Sequence, residues 1–250
     1  MKVRLIVDPP LEGPANMARD EALLISARAG TATVRLYSWA VPTLSLGYFQ
    51  AYADRAVHPI SQRCPVVRRH SGGGAILHDR ELTYSVAMPL TDDERRSTHG
   101  LVTTVHESLA AVWREAGLDA RLATGDEPSP PGPQEHGGRP FLCFQRRAEG
   151  DLLVGAYKVG GSAQRKWHGA LLQHGSILLR RSVAAPELPG AEDLAGGEGL
   201  PEDWRTRWLT ELANRLHWSF APSTMTDEEF LQAHVAAESR FLRPEWTRRR

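Results

Sequence analysis

The sequence predicts an α+β fold, a mixed α/β arrangement in which a central mixed or antiparallel sheet is flanked by helices. Strand-like segments of alternating polarity are interspersed with segments of helical spacing, without the strict rhythm of a parallel doubly wound sheet. Hydrophobic residues make up 41% of the 250 residues, enough to build a core. This length fits one large domain, so we expect a single domain over residues 1–250.

The first elements can be taken in order from their spacing and end signals. The apolar run within residues 1–8 predicts a short strand. Asn16 is a plausible N-cap of a helix that continues to about Ala29, where Gly30 ends it. Alternation then predicts strands over Thr33–Tyr37 and Thr43–Leu46.

The remaining elements follow the same signals. Strands are expected at 65–67, 82–87 and within 141–179, and helices at 101–116, around 208–216 and from the N-cap Thr226 onward. Glu229 completes a capping box with Thr226, and the buried face of that helix is expected to hold Phe230, His234, Val235 and Phe241. Proline and glycine predict flexible loops at about 125–140 and 182–203.

The bulk charge and the cysteine count narrow the class of protein. Lys plus Arg equals Asp plus Glu at 30 each, which gives no electrostatic case for nucleic acid or membrane partners. Arg248 to Arg250 are interpreted as a solvated tail. No signal peptide or membrane-length apolar run is expected, and two cysteines suit a reducing cytoplasm.

Residues 68–79, RRHSGGGAILHD, form the first segment that could bind a ligand. Three glycines after a strand let backbone N–H groups approach a ligand closely, and the two arginines could neutralise a phosphate. Taken alone, three glycines more often mean a plain glycine-rich turn between two strands. The segment is neither a Walker A loop nor GxGxxG.

Cys143, Lys158 and His174 are the other candidate functional positions. Cys143 follows the proline-rich loop, where a nucleophile could be presented, although a thiol between apolar neighbours is often part of the core. Lys158 precedes a Gly-Gly pair, and His174 begins a strand; each also fits an ordinary structural role. No spacing typical of a zinc site is present, and Cys64 is interpreted as structural.

These segments, taken together and in order, resemble the lipoate–protein ligase A and lipoyl(octanoyl)transferase family, which shares its fold with biotin–protein ligases. The motifs that carry the resemblance are Arg68–Asp79, Lys158–Ala163 and His174–Leu178. Glu81–Val86, Cys143-Phe144 and the run KVGGSAQ…QHGS are similar to the cysteine-type octanoyltransferase branch. The resemblance covers residues 1–246.

The resemblance implies a function and a set of site residues. It implies transfer of an octanoyl group from octanoyl–acyl carrier protein to a lysine of lipoyl domains of 2-oxoacid dehydrogenases or of the glycine-cleavage H protein, without ATP. Cys143 would be the nucleophile, and Lys158 would favour its thiolate and stabilise the oxyanion. The positions that match the substrate-binding motifs are Arg68, Arg69, Ser71, Gly72, Gly73, Gly74, Ala75, Ile76, His78, Gly161, Ser162, Ala163, His174 and Gly175.

Two alternatives remain open at this stage. An ATP-dependent lipoate–protein ligase would use ATP and Mg²⁺, with Lys158 on the lipoate carboxylate and α-phosphate and Arg68 on the adenylate. That enzyme usually carries an accessory domain, for which little sequence remains after residue 220. A non-catalytic relative that binds an acyl-carrier partner is disfavoured by the presence of both Cys143 and Lys158.

Overall fold

Strands make up the centre of the chain in the computed structural model, which describes residues 1–91, 98–127, 138–196 and 199–250. The strands are β1 (Lys2–Val7), β2 (Thr33–Tyr37), β3 (Thr43–Leu46), β4 (Val66–Arg68), β5 (Ile76–His78), β6 (Glu81–Pro89), β7 (Ala120–Leu122), β8 (Leu152–Val154), β9 (Tyr157–Trp167), β10 (Ala170–Leu178) and β11 (Ser219–Pro222). Eight of them form one mixed sheet in the order β11-β1-β2-β6-β10-β9-β8-β7, and the others form a small sheet in the order β4-β3-β5.

Helices cover both faces of the large sheet. They are α1 (Gly13–Arg28), α2 (His99–Glu115), α3 (Ala191–Leu194), α4 (Trp204–Leu216), α5 (Asp227–Ala236) and α6 (Pro244–Thr247). The predicted α+β fold with a mixed sheet flanked by helices is therefore confirmed. Across the described residues, no helix is both long and apolar enough to span a bilayer.

The side-chain alternation of β6 divides the molecule into an apolar face and a polar one. Leu82, Tyr84 and Val86 point into a core that contains Trp113 of α2 and Trp208 of α4. The intervening residues of the strand point the other way. That second face therefore holds Thr83 and Ser85 of the strand, beside an apolar cluster built around α1 and α5.

The register of the central strands places several candidate residues side by side. His174 of β10 lies opposite Ala163 of β9, and Ser176 lies opposite both Gly161 of β9 and Thr83 of β6. Because directly paired residues project from the same face of a sheet, these five share the face away from the tryptophan core. The functional site is built on this face.

The start of α1 corrects the expectation that Asn16 is an N-cap. The helix begins at Gly13 with Pro14 in its first turn, and Glu12 occupies the capping position. Proline suits the first turn because its missing N–H has no partner there. Asn16 is instead a buried helical residue, whose side-chain oxygen accepts a hydrogen bond from Arg35.

The buried face of α5 is also different from the one expected. The capping box of Thr226 and Glu229 is present, so the predicted helix start is confirmed. However, Phe230, His234 and Val235 are exposed, whereas the helix buries Glu229, Ala233 and Ala236; Phe241, beyond it, is buried as predicted. Small residues allow α5 to pack closely on α1, and this close packing was not apparent from apolar spacing.

The two segments expected to be flexible loops have different outcomes. Of the loop at 125–140, residues 128–137 lie outside the described residues. The segment 182–203 contains helix α3, where Ala191 is buried. Leu188 packs into the cluster around the small sheet.

Candidate active site

Cys143 is held at the start of a 3-10 turn, Cys143–Gln145, by the buried residues before it. Phe141 and Leu142 are almost fully buried, and Leu142 forms a bridge with Ala75. The Cys143 N–H donates to the Ala75 carbonyl at 2.7 Å. The thiol is consequently fixed beside the glycine segment and remains partly exposed.

Lys158 brings a buried ammonium group to this thiol. Its Nζ lies 3.7 Å from Cys143 Sγ and 2.7 Å from Asp151 Oδ2, and the lysine side chain is only 4% exposed. Burial by itself would lower the pKa of Lys158, but the attractions of Cys143 and Asp151 outweigh it and raise the pKa. Lys158 is therefore a cation at neutral pH, positioned to stabilise negative charge on sulfur.

Gly161 leaves the space that the Lys158 ammonium occupies. A Cβ at position 161 would lie 2.7 Å from Lys158 Cε and 3.0 Å from its Nζ. Any side chain there would push the ammonium away from Cys143. The second glycine of the Gly-Gly pair is thus required by the geometry of the thiol and the lysine.

Arg69 holds the backbone of the glycine segment through hydrogen bonds. Its guanidinium donates to the carbonyls of Ser45, Gly72 and Gly74 at 2.8, 3.1 and 2.9 Å. Gly73 has φ +94°, a conformation that side chains disfavour. Burial lowers the pKa of Arg69 to about 10, while the nearby Cys143 sulfur, if ionised, opposes that shift. The guanidinium is charged at neutral pH and adds a second positive group near the thiol.

A cavity opens beside Cys143, with about 490 Å³ of empty space that includes its mouth open to solvent. Its lining contains both glycine-rich segments, the candidate thiol and one histidine from each of β5 and β10. The lining residues are Met17, Tyr37, Trp39, Arg69, Gly72, Gly73, Ile76, His78, Thr83, Cys143, Phe144, Gly161, Ser162, Ala163, His174, Gly175 and Ser176. Its mostly apolar lining suits an acyl chain.

His78 is a satisfied, buried part of the cavity wall. Its Nδ1 lies 2.7 Å from Glu81 Oε1, its Nε2 lies 2.6 Å from Ser45 Oγ, and its ring stacks on Trp39 at 3.9 Å. Burial lowers the pKa of His78, although Glu81 opposes the shift. The neutral ring therefore presents a flat surface to the cavity.

His174 connects the cavity to a buried ion cluster. Its Nε2 lies 2.5 Å from Ser71 Oγ, and its Nδ1 lies 3.6 Å from Asp20 Oδ2. Asp20 also pairs with Arg35 at 2.8 Å, and burial of the aspartate is outweighed by hydrogen bonding to His174 and by Arg35, which lower its pKa. The imidazole is thereby held in one orientation at the cavity wall.

Five of the predicted site residues do not line the cavity. They are Arg68, Ser71, Gly74, Ala75 and Lys158. Lys158 contacts the thiol of Cys143, and Ser71 contacts His174, so each of them holds a residue that lines the cavity.

Arg68 is placed away from the cavity altogether. It is fully buried, and it donates to the carbonyls of Gly47 and Gln50 at 2.8 and 2.7 Å. It also donates twice to the carbonyl of Thr247, at 3.1 and 2.8 Å. Its contacts tie the C-terminal segment to the turn after β3.

The most important residue that the sequence reasoning missed is Asp151. It directly follows Gly150, outside the matched motifs, and reads as an ordinary turn aspartate before β8. The structure brings it to the site through strand pairing: Lys158 lies opposite Leu153, and a β-bulge between Leu152 and Leu153 places Asp151 near the lysine. His106 was also missed; its Nε2 lies 2.7 Å from the lining hydroxyl of Ser162.

Across the described parts of the chain, no group of three or more His, Cys, Asp or Glu side chains could hold a metal ion. The site is defined by a thiol, a buried lysine and an apolar cavity on one face of a mixed sheet. These features are typical of an enzyme that handles an acyl group.

Comparison with known proteins identifies the family. The family described as "Lipoyl protein ligase A/B catalytic domain" matches residues 12–186. The chain belongs to this family of catalytic domains, and it is 33% identical to octanoyltransferase LipM of Symbiobacterium thermophilum over 95% of both chains.

Two further proteins illustrate the similarity. Octanoyltransferase LipM of Brevibacillus brevis is 32% identical over 99% of both chains. A bi-partite lipoate protein ligase from Thermoplasma acidophilum, described with its E2 lipoyl domain, superposes with a TM-score of 0.75 at 21% identity, covering 99% of this chain and 96% of the other. The latter comparison supports the fold alone.

Proposed function

We propose that this chain is an octanoyltransferase that acts in lipoate biosynthesis through an acyl-cysteine intermediate. The observation that carries the proposal is the pair of Cys143 and Lys158, with 3.7 Å between sulfur and nitrogen beside the cavity. The names of the relatives that match nearly the whole chain support the octanoyl group, and the family description supports a lipoyl-type acceptor.

In the first step the Cys143 thiolate attacks the carbonyl carbon of octanoyl–acyl carrier protein. A new carbon–sulfur bond forms, the bond to the carrier sulfur breaks, and that sulfur leaves as a thiolate that takes up a proton from solvent. Lys158 stabilises the attacking thiolate and the oxyanion of the tetrahedral intermediate. In other enzymes an oxyanion donor contributes ~3 kcal/mol.

In the second step the neutral amine of a carrier-domain lysine attacks the acyl-cysteine. An amide forms, the carbon–sulfur bond breaks, the amine gives up its proton, and Cys143 returns as the thiolate. No ATP is needed, because the thioester is already activated. The acyl chain buries about seven CH₂ or CH₃ groups at ~0.8 kcal/mol each.

The direct test is the intact mass of the protein after incubation with octanoyl–acyl carrier protein in the absence of ATP. We expect the mass to increase by one octanoyl group. The adduct should be lost in Cys143→Ala and kept in Cys64→Ala, since Cys64 does not line the cavity. Absence of an adduct, together with a Lys158-dependent adenylate formed from lipoate and ATP, would support the ATP-dependent ligase instead.

A further inference from the structure

Arginine and aromatic side chains form a continuous surface at the C-terminal end of the described chain. Arg249 lies 4.4 Å from the ring of Tyr48 and 4.8 Å from that of Trp246. Arg250 lies 5.3 Å from Phe49, whose side chain is 69% exposed. With Arg248, which stacks on Tyr52 at 5.5 Å, these residues make up what we call the arginine–aromatic surface.

This surface is anchored to the body of the molecule through its backbone. Arg68 holds the Thr247 carbonyl, and the Tyr52 N–H donates to the Arg250 carbonyl at 2.8 Å. The Trp246 Nε1 donates to the Arg68 carbonyl at 2.9 Å. The three terminal arginines are exposed, as the sequence suggested, but they are held in place on aromatic rings rather than lying on an unattached tail.

The arginine–aromatic surface adjoins the active site. The Tyr48 N–H donates to the Ser71 carbonyl at 2.9 Å, and the Phe49 ring lies 3.8 Å from where a Cβ of Gly72 would be. Two residues further along the chain, a Cβ built on Gly74 would lie 3.2 Å from the Cα of Cys143. Since two residues span at most about 7 Å, the glycine segment leads directly from this surface to the thiol.

The arginines of the surface are not engaged in ion pairs with described side chains. Of the residues that the structure describes, none supplies a carboxylate to an ion pair with Arg248, Arg249 or Arg250. Burial lowers the pKa of Arg68, and Arg249 and Arg250 lower it further. Burial also lowers the pKa of His70 to about 3, with Arg165, Arg240 and Arg249 among the groups that contribute, so that His70 adds no charge at neutral pH.

We propose that the arginine–aromatic surface docks the acidic carrier domain that delivers the acyl thioester. This inference rests on the proposed function, which requires a carrier-bound thioester to reach Cys143. Arginine and aromatic residues are enriched at protein interfaces, and arginine pairs with carboxylates and phosphates. The donor fits better than the acceptor, because its acyl group is tethered through a phosphodiester, whereas the acceptor offers only a lysine side chain.

The test compares two donors that differ only in the carrier. Rates of acyl-enzyme formation are measured with octanoyl–acyl carrier protein and with octanoyl-N-acetylcysteamine, a thioester without carrier or phosphate. The tail variant carries Arg248→Gln, Arg249→Gln and Arg250→Gln. In this variant we expect the kcat/KM for the carrier-bound donor to fall by about 10-fold and its salt dependence to weaken. The rate with the small thioester should not change.

The matched control removes three arginines from helix α4, with Arg205→Gln, Arg207→Gln and Arg215→Gln, and should change neither rate. Equal rates for wild type and the tail variant with both donors would overturn the proposal. An equal loss with both donors would also overturn it, because the tail would then support the cavity, as would a loss confined to transfer onto a lipoyl domain.

If the proposed function is wrong, the experiment gives a result that differs from failure of the docking proposal. Wild-type protein would then form no acyl-cysteine with either thioester. Titration of the wild type and the tail variant with acyl carrier protein would still decide the docking proposal, since it requires tighter binding by the wild type. Preferential loss of duplex DNA binding in the tail variant, with carrier binding unchanged, would assign the surface to nucleic acid and overturn the proposal.

Discussion

In the proposed reaction, Cys143 depends on a lysine that three other features hold in position. Asp151 anchors the Lys158 ammonium at 2.7 Å, Gly161 leaves room for it, and the strand pairing of β8 and β9 brings the groups together. The site can therefore be disturbed without touching the thiol or the lysine. Two substitutions separate these supports.

Asp151→Asn should slow acylation of Cys143 by between about 10- and 100-fold. Asp151 raises the pKa of Lys158 against burial, so its replacement lowers that pKa. The lysine then loses its proton at lower pH, and the alkaline limb of the pH–rate profile moves to lower pH. The profile is measured with octanoyl-N-acetylcysteamine, and Asp203→Asn, an exposed aspartate, should keep the wild-type profile. An unshifted limb in Asp151→Asn would contradict this role.

Gly161→Ala and Gly160→Ala should have different effects, although they are neighbours. A Cβ at 161 meets the end of Lys158, so we expect acylation to fall by about 10²-fold with little loss of stability. A Cβ at 160 would lie 2.9 Å from the Cβ of Leu152 in the core, so that variant should lose stability instead. Acylation rates and urea unfolding of both variants check the contrast, and a similar profile for the two would refute it.

At the scale of the element, helix α5 depends on the charge at its start. Glu229 accepts a hydrogen bond from the Thr226 N–H at 2.8 Å and pairs with Arg4 of β1 at 2.7 Å. The helix is thereby fixed both to its own first turn and to the edge of the sheet. Because a carboxylate does both, the stability of this element depends on pH.

Glu229→Gln should lower the free energy of unfolding by about 2 kcal/mol at pH 7. Burial would raise the pKa of Glu229, but hydrogen bonds from Arg4 and Thr226 outweigh it and lower it from 4.5 to about 2. A depressed pKa stabilises the fold above the ordinary value and less as the pH falls. The difference between wild type and variant should therefore shrink as the pH falls from 4.5 toward 2, as measured by urea unfolding, with exposed Glu228→Gln as the control. A constant difference would exclude this linkage.

Local sequence signals predicted most helices and strands, but not which residues each of them packs against in the fold. The strands Thr33–Tyr37 and Thr43–Leu46 were predicted with the observed bounds, since alternation and flanking turn residues determine them. The true N-terminus of α1 was missed, because the local signal of Asn16 is indistinguishable from a cap until Arg35 is known to lie beside it. The buried face of α5 was predicted wrongly for the same reason. Its large apolar residues are exposed, because close packing against α1 favours alanines on the buried face.

At the scale of the whole molecule, Arg68 joins segments that are far apart in the chain. One side chain connects the turn after β3 with Thr247 near the C-terminal end. Motif matching predicted a set of site residues, and the cavity gathers most of them. It could not distinguish Arg68, the last residue of β4, from Arg69, the residue after it, because only the fold decides which of the two meets the cavity.

Arg68→Met should destabilise the protein by about 3 kcal/mol, because three buried carbonyl groups lose a charged donor. We also expect the segment after Phe241 to become sensitive to limited proteolysis under native conditions. Urea unfolding and mass analysis of the digest measure the two effects. Arg205→Met, at an exposed position of α4, should show neither, and an intact C-terminal segment in Arg68→Met would argue against the connection.

The parallel pairing of β1 with β11 has a consequence for how the chain folds during synthesis. Lys2 and Leu5 pair with Ser219 and Pro222, so one edge of β1 stays open until the residues of β11 have left the ribosome. Such long-range pairing slows folding and leaves an edge available to other nascent chains in the meantime. Newly made protein is therefore expected to be a better chaperone substrate than the finished fold, whose β1 is paired on both sides.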